Sequence, residues 1–400
     1  MSNVDTSKFL ISESELIIGQ ARKHKAEELK TIGEPLQLSG KALAIEVVGN
    51  SVWIGDNTTA ARKIDLESRH TLQIYRGHRG PVSALALFKT VPSDGSEPRQ
   101  ILITGSWDQT IKFWDTNTKE IISSTDAHSD FVKSLLVFPK LNLLVSGSSD
   151  KLVRFWDLTS ALNGEPLQSS GSISSHTRPV ECLDGLELGN GNAELYTADT
   201  MGFAFLWALS RDNSSPPRWR GTLKTEFKYH RTNISDLHYG NGQLWTASLD
   251  ETVHIRNLSP ALEKQKPPPP ITHPVGVRCI LPLPLSVLAE PYLITGAGDV
   301  LRVYDTSSLT EPELLNEFDA HWHDITDIRL WLRKSQNDGI VKVEPWIIST
   351  GIDSTIRRWR LQDILVRNSV KPKAVHPPVK SEFKMTAEEE EELAELLDSD

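Results

Sequence analysis

Short apolar runs broken by small polar residues recur along most of the chain, and two of them match position for position. The run at residues 101–116 reads ILITGSWDQTIKFWDT, and the run at residues 143–158 reads LLVSGSSDKLVRFWDL. In each run, an apolar stretch is followed by Gly-Ser and then by an Asp. A second, largely apolar stretch follows and ends with a Trp-Asp pair and one further residue. This pattern predicts short β-strands joined by turns.

The same pattern recurs in seven copies when one anchor position is followed along the chain. The anchor residues are Ile64 in a weaker first copy, then Trp114, Trp156, Trp207, Arg256, Tyr304 and Trp359. Successive anchors are 50, 42, 51, 49, 48 and 55 residues apart. Repeats of this length that contain several short strands are typical of a β-propeller and not of a helical solenoid.

A histidine precedes a β-branched residue by four positions in six of the copies. These histidines are His78, His128, His176, His230, His273 and His321. Together with the pairs Gly77-His78, Trp114-Asp115 and Trp156-Asp157, the pattern resembles the WD-repeat family over roughly residues 34–365. The resemblance implies an all-β fold, a seven-bladed propeller in which each blade is a four-stranded antiparallel sheet.

The resemblance also implies a buried hydrogen-bonded network in each blade, made by the loop His, a Ser or Thr, the turn Asp and the anchor Trp. By position, the three full sets are His78, Thr104, Asp108 and Trp114; His128, Ser146, Asp150 and Trp156; and His321, Ser349, Asp353 and Trp359. Because the trio of hydroxyl, His and Asp recurs in blade after blade, we interpret it as structural and not as a catalytic triad.

Three blades depart from this pattern. Blade 1 has no loop His, blade 4 has Met201 at the Asp position with Asp199 two residues earlier, and blade 5 has Arg256 in place of Trp. We expect apolar packing to hold these blades instead.

The ends of the chain predict how the ring closes and what lies outside it. Residues 34–47 parallel residues 70–85, so Leu36–Leu38 are expected to form an outermost strand that completes blade 7. The domain assignment is an N-terminal extension at 1–33, the propeller at 34–365, a Pro/Lys linker at 366–384 and an acidic tail at 385–400. The extension contains a predicted amphipathic helix, which we interpret as a cap on the propeller, with partner docking as the alternative.

The acidic tail accounts for most of the net charge of −10. Residues 386–400 hold eight acids and no base, which leaves the remainder of the chain near −2. Leu393, Leu396 and Leu397 form a small apolar stripe at helical spacing, so we expect a short acidic helix that docks on a partner; a solvated, disordered terminus is the alternative. Since no basic domain is present, direct nucleic-acid binding is not expected.

Other composition features narrow the class of protein further. Two cysteines without a CxxC pair indicate neither a disulfide framework nor a zinc site, and no cofactor or metal is expected. The N-terminus lacks the features of a signal peptide, and no apolar run is long enough to span a bilayer. We therefore expect an intracellular protein of the cytoplasm or nucleus, without a membrane partner or a small-molecule substrate.

The variable positions after each loop His, and the residue before each turn Asp, are expected to face outward on one side of the propeller. The residues predicted to bind a protein partner there are Trp107, Phe131, Arg178, Arg231, Trp322 and His323. Trp, Arg and Phe are types found in interface hot spots. Packing of several of them against neighbouring loops is the alternative.

These observations favour a non-catalytic scaffold or adaptor subunit of a multiprotein complex. A substrate receptor of a cullin-RING ubiquitin ligase is the first alternative, although Asn117, Thr159 and Ser307 stand where many such receptors carry Arg. A catalytic propeller is the second, and it requires an unrepeated cluster of acids and histidines at the axis. His323 with Asp324 is the one non-repeated pair that the sequence offers for it.

Overall fold

The short strands predicted from the repeats assemble into seven four-stranded antiparallel sheets, confirming the all-β, seven-bladed propeller. The computed structural model describes residues 13–90, 98–212, 214–258, 267–283, 288, 291–337 and 340–366. Within these residues each sheet is one blade, and its strands follow chain order from the inner to the outer edge except in blade 7.

The strands of the first four blades have the following bounds. Blade 1 consists of β2 (Ala42–Val48), β3 (Ser51–Asp56), β4 (Ala60–Asp65) and β5 (Thr71–Arg76). Blade 2 consists of β6 (Val82–Lys89), β7 (Gln100–Ser106), β8 (Thr110–Asp115) and β9 (Ile121–Asp126). Blade 3 consists of β10 (Val132–Phe138), β11 (Leu143–Ser148), β12 (Val153–Asp157) and β13 (Gln168–Ile173). Blade 4 consists of β14 (Val180–Glu187), β15 (Ala193–Asp199), β16 (Phe203–Arg211) and β17 (Trp219–Lys228).

The last three blades complete the ring. Blade 5 consists of β18 (Ile234–Gly240), β19 (Gln243–Ser248), β20 (Thr252–Asn257) and β21 (Ile271–Thr272). Blade 6 consists of β22 (Val277–Pro282), β23 (Tyr292–Ala297), β24 (Val300–Asp305) and β25 (Glu313–Asp319). Blade 7 consists of β26 (Ile325–Asn337), β27 (Ile340–Gly351) and β28 (Thr355–Arg360), and its outermost strand is β1 (Leu36–Gln37) from the N-terminal side.

The N-terminal strand joins the two ends of the propeller. Leu36 lies opposite Ile356 in the antiparallel β1–β28 ladder, and the Leu38 amide donates to the Ser354 carbonyl at 2.8 Å. Leu38 is buried in an apolar cluster that also holds Ile45 of blade 1. The ladder and the apolar contact together give blade 7 a fourth strand, so β28 does not present an open sheet edge.

The core of the protein lies between neighbouring blades. Ile103 and Phe113 of blade 2 pack in one cluster with Leu144 and the anchor Trp156 of blade 3, and all four are buried. The second strand of each blade is covered on both faces, which explains why its sequence is a continuous apolar run. Burial of each large apolar side chain contributes about 1.5–3 kcal/mol.

Every inner strand carries a register shift near its beginning. The residues that follow this shift are Ala44, Ala84, Ser134, Cys182, Asp236, Cys279 and Asp327. All seven line the central channel. The repeated bulge therefore turns one residue of each blade toward the axis of the ring.

In the described part of the chain, three α-helices lie outside the sheets: α1 (Glu13–Glu28), α2 (Leu158–Leu162) and α3 (Leu361–Leu365). Of the residues predicted to form an amphipathic face, Leu29 is buried just after the end of α1, whereas those at the start of the helix are exposed. Leu16 and Ile17 are 51% and 56% exposed. The apolar residues at the start of α1 are consecutive, so they spread around the helix and do not form a stripe. The contact of α1 with the propeller is made instead by Lys25, which pairs with two acids of blade 6.

Candidate protein-interaction surface

The three full sets of network residues lie within hydrogen-bond distance of one another. In blade 2, His78 Nδ1 is 2.9 Å from Asp108 Oδ2, His78 Nε2 is 2.6 Å from Thr104 Oγ1, and Trp114 Nε1 donates to Thr104 Oγ1 at 2.8 Å. Because the carboxylate only accepts, Nδ1 donates to it and Nε2 accepts from the hydroxyl. Asp108 also accepts from the Arg79 amide at 2.8 Å, so the network fixes the loop to the turn.

The same contacts recur in blades 3 and 7. His128 Nδ1 lies 2.9 Å from Asp150, and His321 Nδ1 lies 3.0 Å from Asp353. The remaining contacts are His128–Ser146 at 2.7 Å, Trp156–Ser146 at 2.8 Å, His321–Ser349 at 2.9 Å and Trp359–Ser349 at 2.9 Å. Each hydroxyl is fully buried and bonded by both His and Trp, so it is not placed to attack a substrate.

Burial and hydrogen bonding determine which member of the His321–Asp353 pair carries a charge. Burial lowers the pKa of His321, against the opposing effect of Asp353, and so favours a neutral imidazole. Burial alone would raise the pKa of Asp353, but hydrogen bonds from His321 and Thr355 hold it below its ordinary value. The His321–Asp353 pair is thus a carboxylate that accepts from a neutral imidazole.

Blades 4 and 5 contain polar networks too, contrary to the expectation that apolar packing alone holds them. In blade 4, Asp199 lies 3.0 Å from His176 Nδ1 although it comes two residues before the usual position. Thr197 is 2.8 Å from His176 Nε2 and accepts from Trp207 at 3.0 Å. Asp199 is the last residue of β15, and from there its carboxylate still reaches the loop His. The displacement of the acid by two residues therefore does not break the contact.

In blade 5, Tyr229 and Arg256 together replace the missing Trp. His230 Nδ1 lies 3.1 Å from Asp250, and Nε2 lies 2.9 Å from Thr246. The Arg256 guanidinium lies 4.7 Å from the centre of the Tyr229 ring. This cation–π contact covers the face of the ring at the place where other blades hold an indole.

Blade 6 has a loop His, but the His-Asp contact is missing from its network. His273 Nε2 lies 2.9 Å from Thr295 and 3.3 Å from the Tyr304 hydroxyl, but its buried Nδ1 has no partner among the described residues. Asp299, in the turn of this blade, pairs with Lys25 of α1 instead. Burial, with nearby Arg302, lowers the pKa of His273 to about 4.

The loops and turns that these networks hold form one face of the ring, called the loop face below. In blade 2 the Trp107 amide donates to the Pro81 carbonyl at 2.9 Å. The equivalent bonds are Ser149–Phe131 at 2.9 Å, Thr200–Pro179 at 3.1 Å, Leu249–Asn233 at 3.0 Å and Ile352–Asp324 at 2.8 Å. The side chains on the loop face therefore project from a rigid backbone.

An aromatic pair crosses the boundary between blades 2 and 3 on the loop face. The rings of Trp107 and Phe131 are stacked, with centroids 4.8 Å apart and planes at 13°. Trp107 is 38% exposed and Phe131 is 39% exposed. The structure thus brings two of the predicted partner-binding residues together, with much of their ring surface uncovered.

Exposed cations surround this pair. Arg79 and Arg178 lie in the loops before blades 2 and 4, Lys151 lies in the turn of blade 3, and Lys41 continues the series on blade 1. Among the residues that the structure describes, none of these four side chains has an ion-pair or hydrogen-bond partner. Arg178, predicted to bind a partner, is therefore free to do so.

The other predicted residues have different surroundings. Arg231 donates to the Asp250 carbonyl at 3.0 Å. Trp322 and His323 are half-buried on blade 7, where His323 accepts from the Asp324 amide at 2.7 Å. These three residues are on the loop face, but part of their surface or hydrogen-bonding capacity is already used within the chain. Leu393, Leu396 and Leu397 lie outside the described residues.

A group of ionisable residues that was not predicted from the sequence lines the central channel, which has a volume of about 550 Å³. Among its charged and titratable members on blades 4, 5 and 7 are Asp184, Asp236, His238, Asp327 and Arg329. One signal could have shown two of them: Asp236 and Asp327 occupy the inner-strand position where blades 1 and 2 have Ala.

The channel acids join neighbouring blades. Asp184 accepts from the Tyr239 amide of blade 5 at 2.6 Å, and Asp236 accepts from the Ile280 amide of blade 6 at 2.8 Å. Ser83 and Ser235 donate across blade boundaries to the Val132 and Val277 carbonyls in the same way. These bonds give the acids a structural role, because each satisfies a backbone amide on an inner strand that forms the edge of the neighbouring sheet.

The described residues contain no group of three or more His, Cys, Asp or Glu side chains placed to hold a metal ion. None of the helices in the described part of the chain is long and apolar enough to cross a bilayer.

The ring of seven blades and the repeated His-Asp-hydroxyl-Trp contacts define a WD-repeat β-propeller. In agreement, residues 69–115 and 119–157 match the family described as WD domain, G-beta repeat. The chain is also similar to an uncharacterized WD repeat-containing protein of Schizosaccharomyces pombe, with 28% identity over 412 residues, 99% of this chain and the whole of the relative. Propellers of this kind generally mediate protein–protein interactions.

Proposed function

We propose that the protein is a non-catalytic scaffold or adaptor that binds a partner protein through the loop face of the propeller. One observation carries the proposal: the exposed Trp107–Phe131 stack, which crosses two blades on a backbone fixed by the networks. A rigid aromatic anchor loses little conformational entropy on binding and buries a large apolar area. The geometry therefore suits a central contact of an interface.

The face also has features of an interface rim. Arg231, Trp322 and His323 are half-buried or hydrogen-bonded residues farther round the ring. Polar groups at a rim give specificity and contribute less affinity than the centre. The segment 385–400, with its Leu stripe and eight acids, is proposed as a second contact on the basis of its sequence alone.

Affinity purification of the tagged full chain, with quantitative mass spectrometry, tests the proposal. The variant Trp107→Ala with Phe131→Ala is compared with the wild type and with Leu223→Ala. Leu223 is a suitable control because it is 46% exposed on β17, the outermost strand of blade 4. We expect a defined set of proteins to be lost from the double variant and kept by the control.

Two other results have a direct meaning. If the double variant and the wild type recover the same proteins in the same amounts, the loop-face proposal is wrong. Recovery of a cullin adaptor with the wild type would favour the ligase-receptor alternative. Deletion of residues 385–400 tests the tail separately, since at least one partner should be lost from that variant.

A further inference from the structure

We propose that the segment of the partner that docks on the loop face is an acidic peptide with an apolar anchor residue. The inference rests on the proposed function, because it names the chemistry of the partner for the same face. The site, called the acidic-peptide site, consists of Arg79, Trp107, Phe131, Lys151 and Arg178. Its residues come from the loops and turns of blades 2, 3 and 4, which are neighbours in the ring.

The apolar anchor is indicated by the aromatic pair. Trp107 and Phe131 stack on each other, so their ring positions are set before a partner arrives. More than a third of each side chain is still exposed. A Leu, Phe or Met of the partner that covers this surface would remove apolar area from water without first ordering the rings.

The charge of the peptide is indicated by a contrast between two groups of cations on and near the loop face. One group is neutralised within the chain. Its ion pairs are Lys133–Glu181 at 3.1 Å, Arg278–Asp324 at 3.5 Å and Lys25–Asp319 at 2.6 Å. These pairs lie on blades 3, 4, 6 and 7, and their cations are already balanced by acids of the chain.

The other group is not neutralised and consists of Lys41, on blade 1, and the three cations of the acidic-peptide site. Among the described residues, Arg79, Lys151 and Arg178 have exposed side chains without a partner. Arg79 precedes the aromatic pair in the ring, and Lys151 and Arg178 follow it. A peptide whose apolar residue covers the pair would thus place carboxylates on both sides of it within reach of a cation. Such complementarity selects the partner and speeds association.

A peptide fits this arrangement better than a nucleic acid strand. Asp130 lies beside Phe131, within the same set of loops, and its carboxylate accepts from the Phe131 amide at 2.7 Å. A phosphodiester backbone carries a charge at every nucleotide and needs a continuous basic groove. Here the basic residues are separated by an acid and by an aromatic pair, which suits carboxylates at discrete positions.

Fluorescence anisotropy with the purified full chain tests the inference. The labelled probe is a ten-residue peptide of Asp and Glu with a central Leu-Phe pair, and the matched probe has Asn and Gln in place of the acids. We expect the acidic probe to bind about tenfold more tightly, since three exposed ion pairs together account for roughly that change in Kd. Its advantage should shrink when salt is raised from about 0.05 to 0.2 M.

Two sets of variants locate the effect. Charge reversal by R79E, K151E and R178E together should weaken the acidic probe at least tenfold and leave the neutral probe unchanged. The charge-retaining set R79K, K151R and R178K should keep binding near the wild-type value. Unchanged binding of the neutral probe to the reversal set shows that the loss in that set is not a folding defect. The change Phe131→Ala should weaken both probes.

Three results with the purified chain would overturn the inference. The first is equal binding of acidic and neutral probes; the second is no binding of the acidic probe up to about 1 mM, the limit of a weak complex. The third is tighter, reversal-sensitive binding of an oligo-dT strand, which would assign the cations to nucleic acid. If reversal leaves the cellular partners bound but Trp107→Ala with Phe131→Ala removes them, the proposed function stands and the acidic-peptide inference fails.

Discussion

Lys25 of the N-terminal helix forms an ion pair with Asp299, in the turn of blade 6. Acids in the turns of blades 2, 3, 5 and 7 bind the loop His of their own blade. In blade 6 the acid is directed to α1, and His273 Nδ1 is left buried without a partner among the described residues. Blade 6, in which the His-Asp contact is missing, is therefore the blade whose turn acid pairs with α1.

Replacing Lys25 by Met should loosen α1 and destabilise the protein by about 1–2 kcal/mol, between the values for exposed and buried ion pairs. The Lys25 side chain is 20% exposed and also lies 2.6 Å from Asp319, so its loss leaves two carboxylates near each other. Hydrogen exchange should rise in α1, and urea unfolding should report the loss. The matched control Lys23→Met, on an exposed residue of α1, should change neither.

Removal of the loop His should cost more in blade 7 than in blade 6. His321→Ala removes one hydrogen-bond partner from the buried Asp353 and one from Ser349, so we expect a loss of about 2–4 kcal/mol. His273→Ala leaves the Thr295 hydroxyl unpaired but no carboxylate, so its loss should be roughly 1–2 kcal/mol smaller. Chemical denaturation of both variants gives the comparison. Equal losses would mean that the His-Asp bond adds nothing to stability.

The repeat predicted the fold because it is local: apolar runs, turns and the anchor residue occur within each copy of roughly 50 residues. The same locality explains what was missed. A fixed spacing from Trp207 places the turn acid at position 201, where the chain has Met. Asp199, at the end of a strand two residues earlier, also reaches His176. Lys25 and Asp299 are 274 positions apart, and no pattern within one copy relates them.

The candidate site shows the same limit. Exposure of Trp107 and Phe131 follows from their loop positions, but their stacking depends on the angle between two blades. The channel acids are one residue per blade, and their closeness follows from ring closure alone. Which cations are unpaired is likewise decided in three dimensions, because the partners of Lys133 and Arg278 come from neighbouring blades.

Stability should fall in acid through the network carboxylates. Although burial opposes it, hydrogen bonding to His128 lowers the pKa of Asp150 from 3.8 to about 2. Because the folded pKa is depressed, the contribution is present above pH 4 and is lost as the pH falls toward 2; for Asp150 it amounts to about 2 kcal/mol. Asp150→Asn should lower stability at pH 7 and flatten the profile between pH 4 and 2, as measured by urea unfolding at each pH. A parallel profile for the variant would contradict this assignment.

Asp327 in the channel should have the opposite dependence on pH. Burial raises its pKa to about 6, in spite of neighbouring Arg329 and with a contribution from Asp236. Because the folded pKa is raised, the protonated carboxyl favours folding at low pH, and this contribution is lost as the pH rises through 6. Between pH 5 and 7 the loss is about 1 kcal/mol. Relative to wild type, Asp327→Asn should therefore gain about that amount over this range in urea unfolding. A constant difference between the two proteins would contradict the raised pKa.

Closure of the ring should depend on the short strand β1 and not on the start of α1. Deletion of residues 1–40 removes the β1–β28 ladder and the buried Leu38, and it takes away Glu34, which pairs with Arg358. The apolar contacts of Leu36 and Leu38 alone contribute roughly 3–5 kcal/mol to stability. The deletion also exposes the edge of β28, which can pair with another chain and aggregate.

Deletion of residues 1–20 is the matched control, because it keeps Lys25, Glu34 and β1 in place. We expect this shorter chain to remain monomeric with nearly unchanged thermal stability, whereas the longer deletion should melt earlier and form larger species in size-exclusion chromatography. If both truncated chains behaved alike, the apolar and ladder contacts of β1 would not be what closes blade 7. The comparison separates the start of α1, which both deletions remove, from the contacts of Lys25 and β1, which only the longer deletion removes.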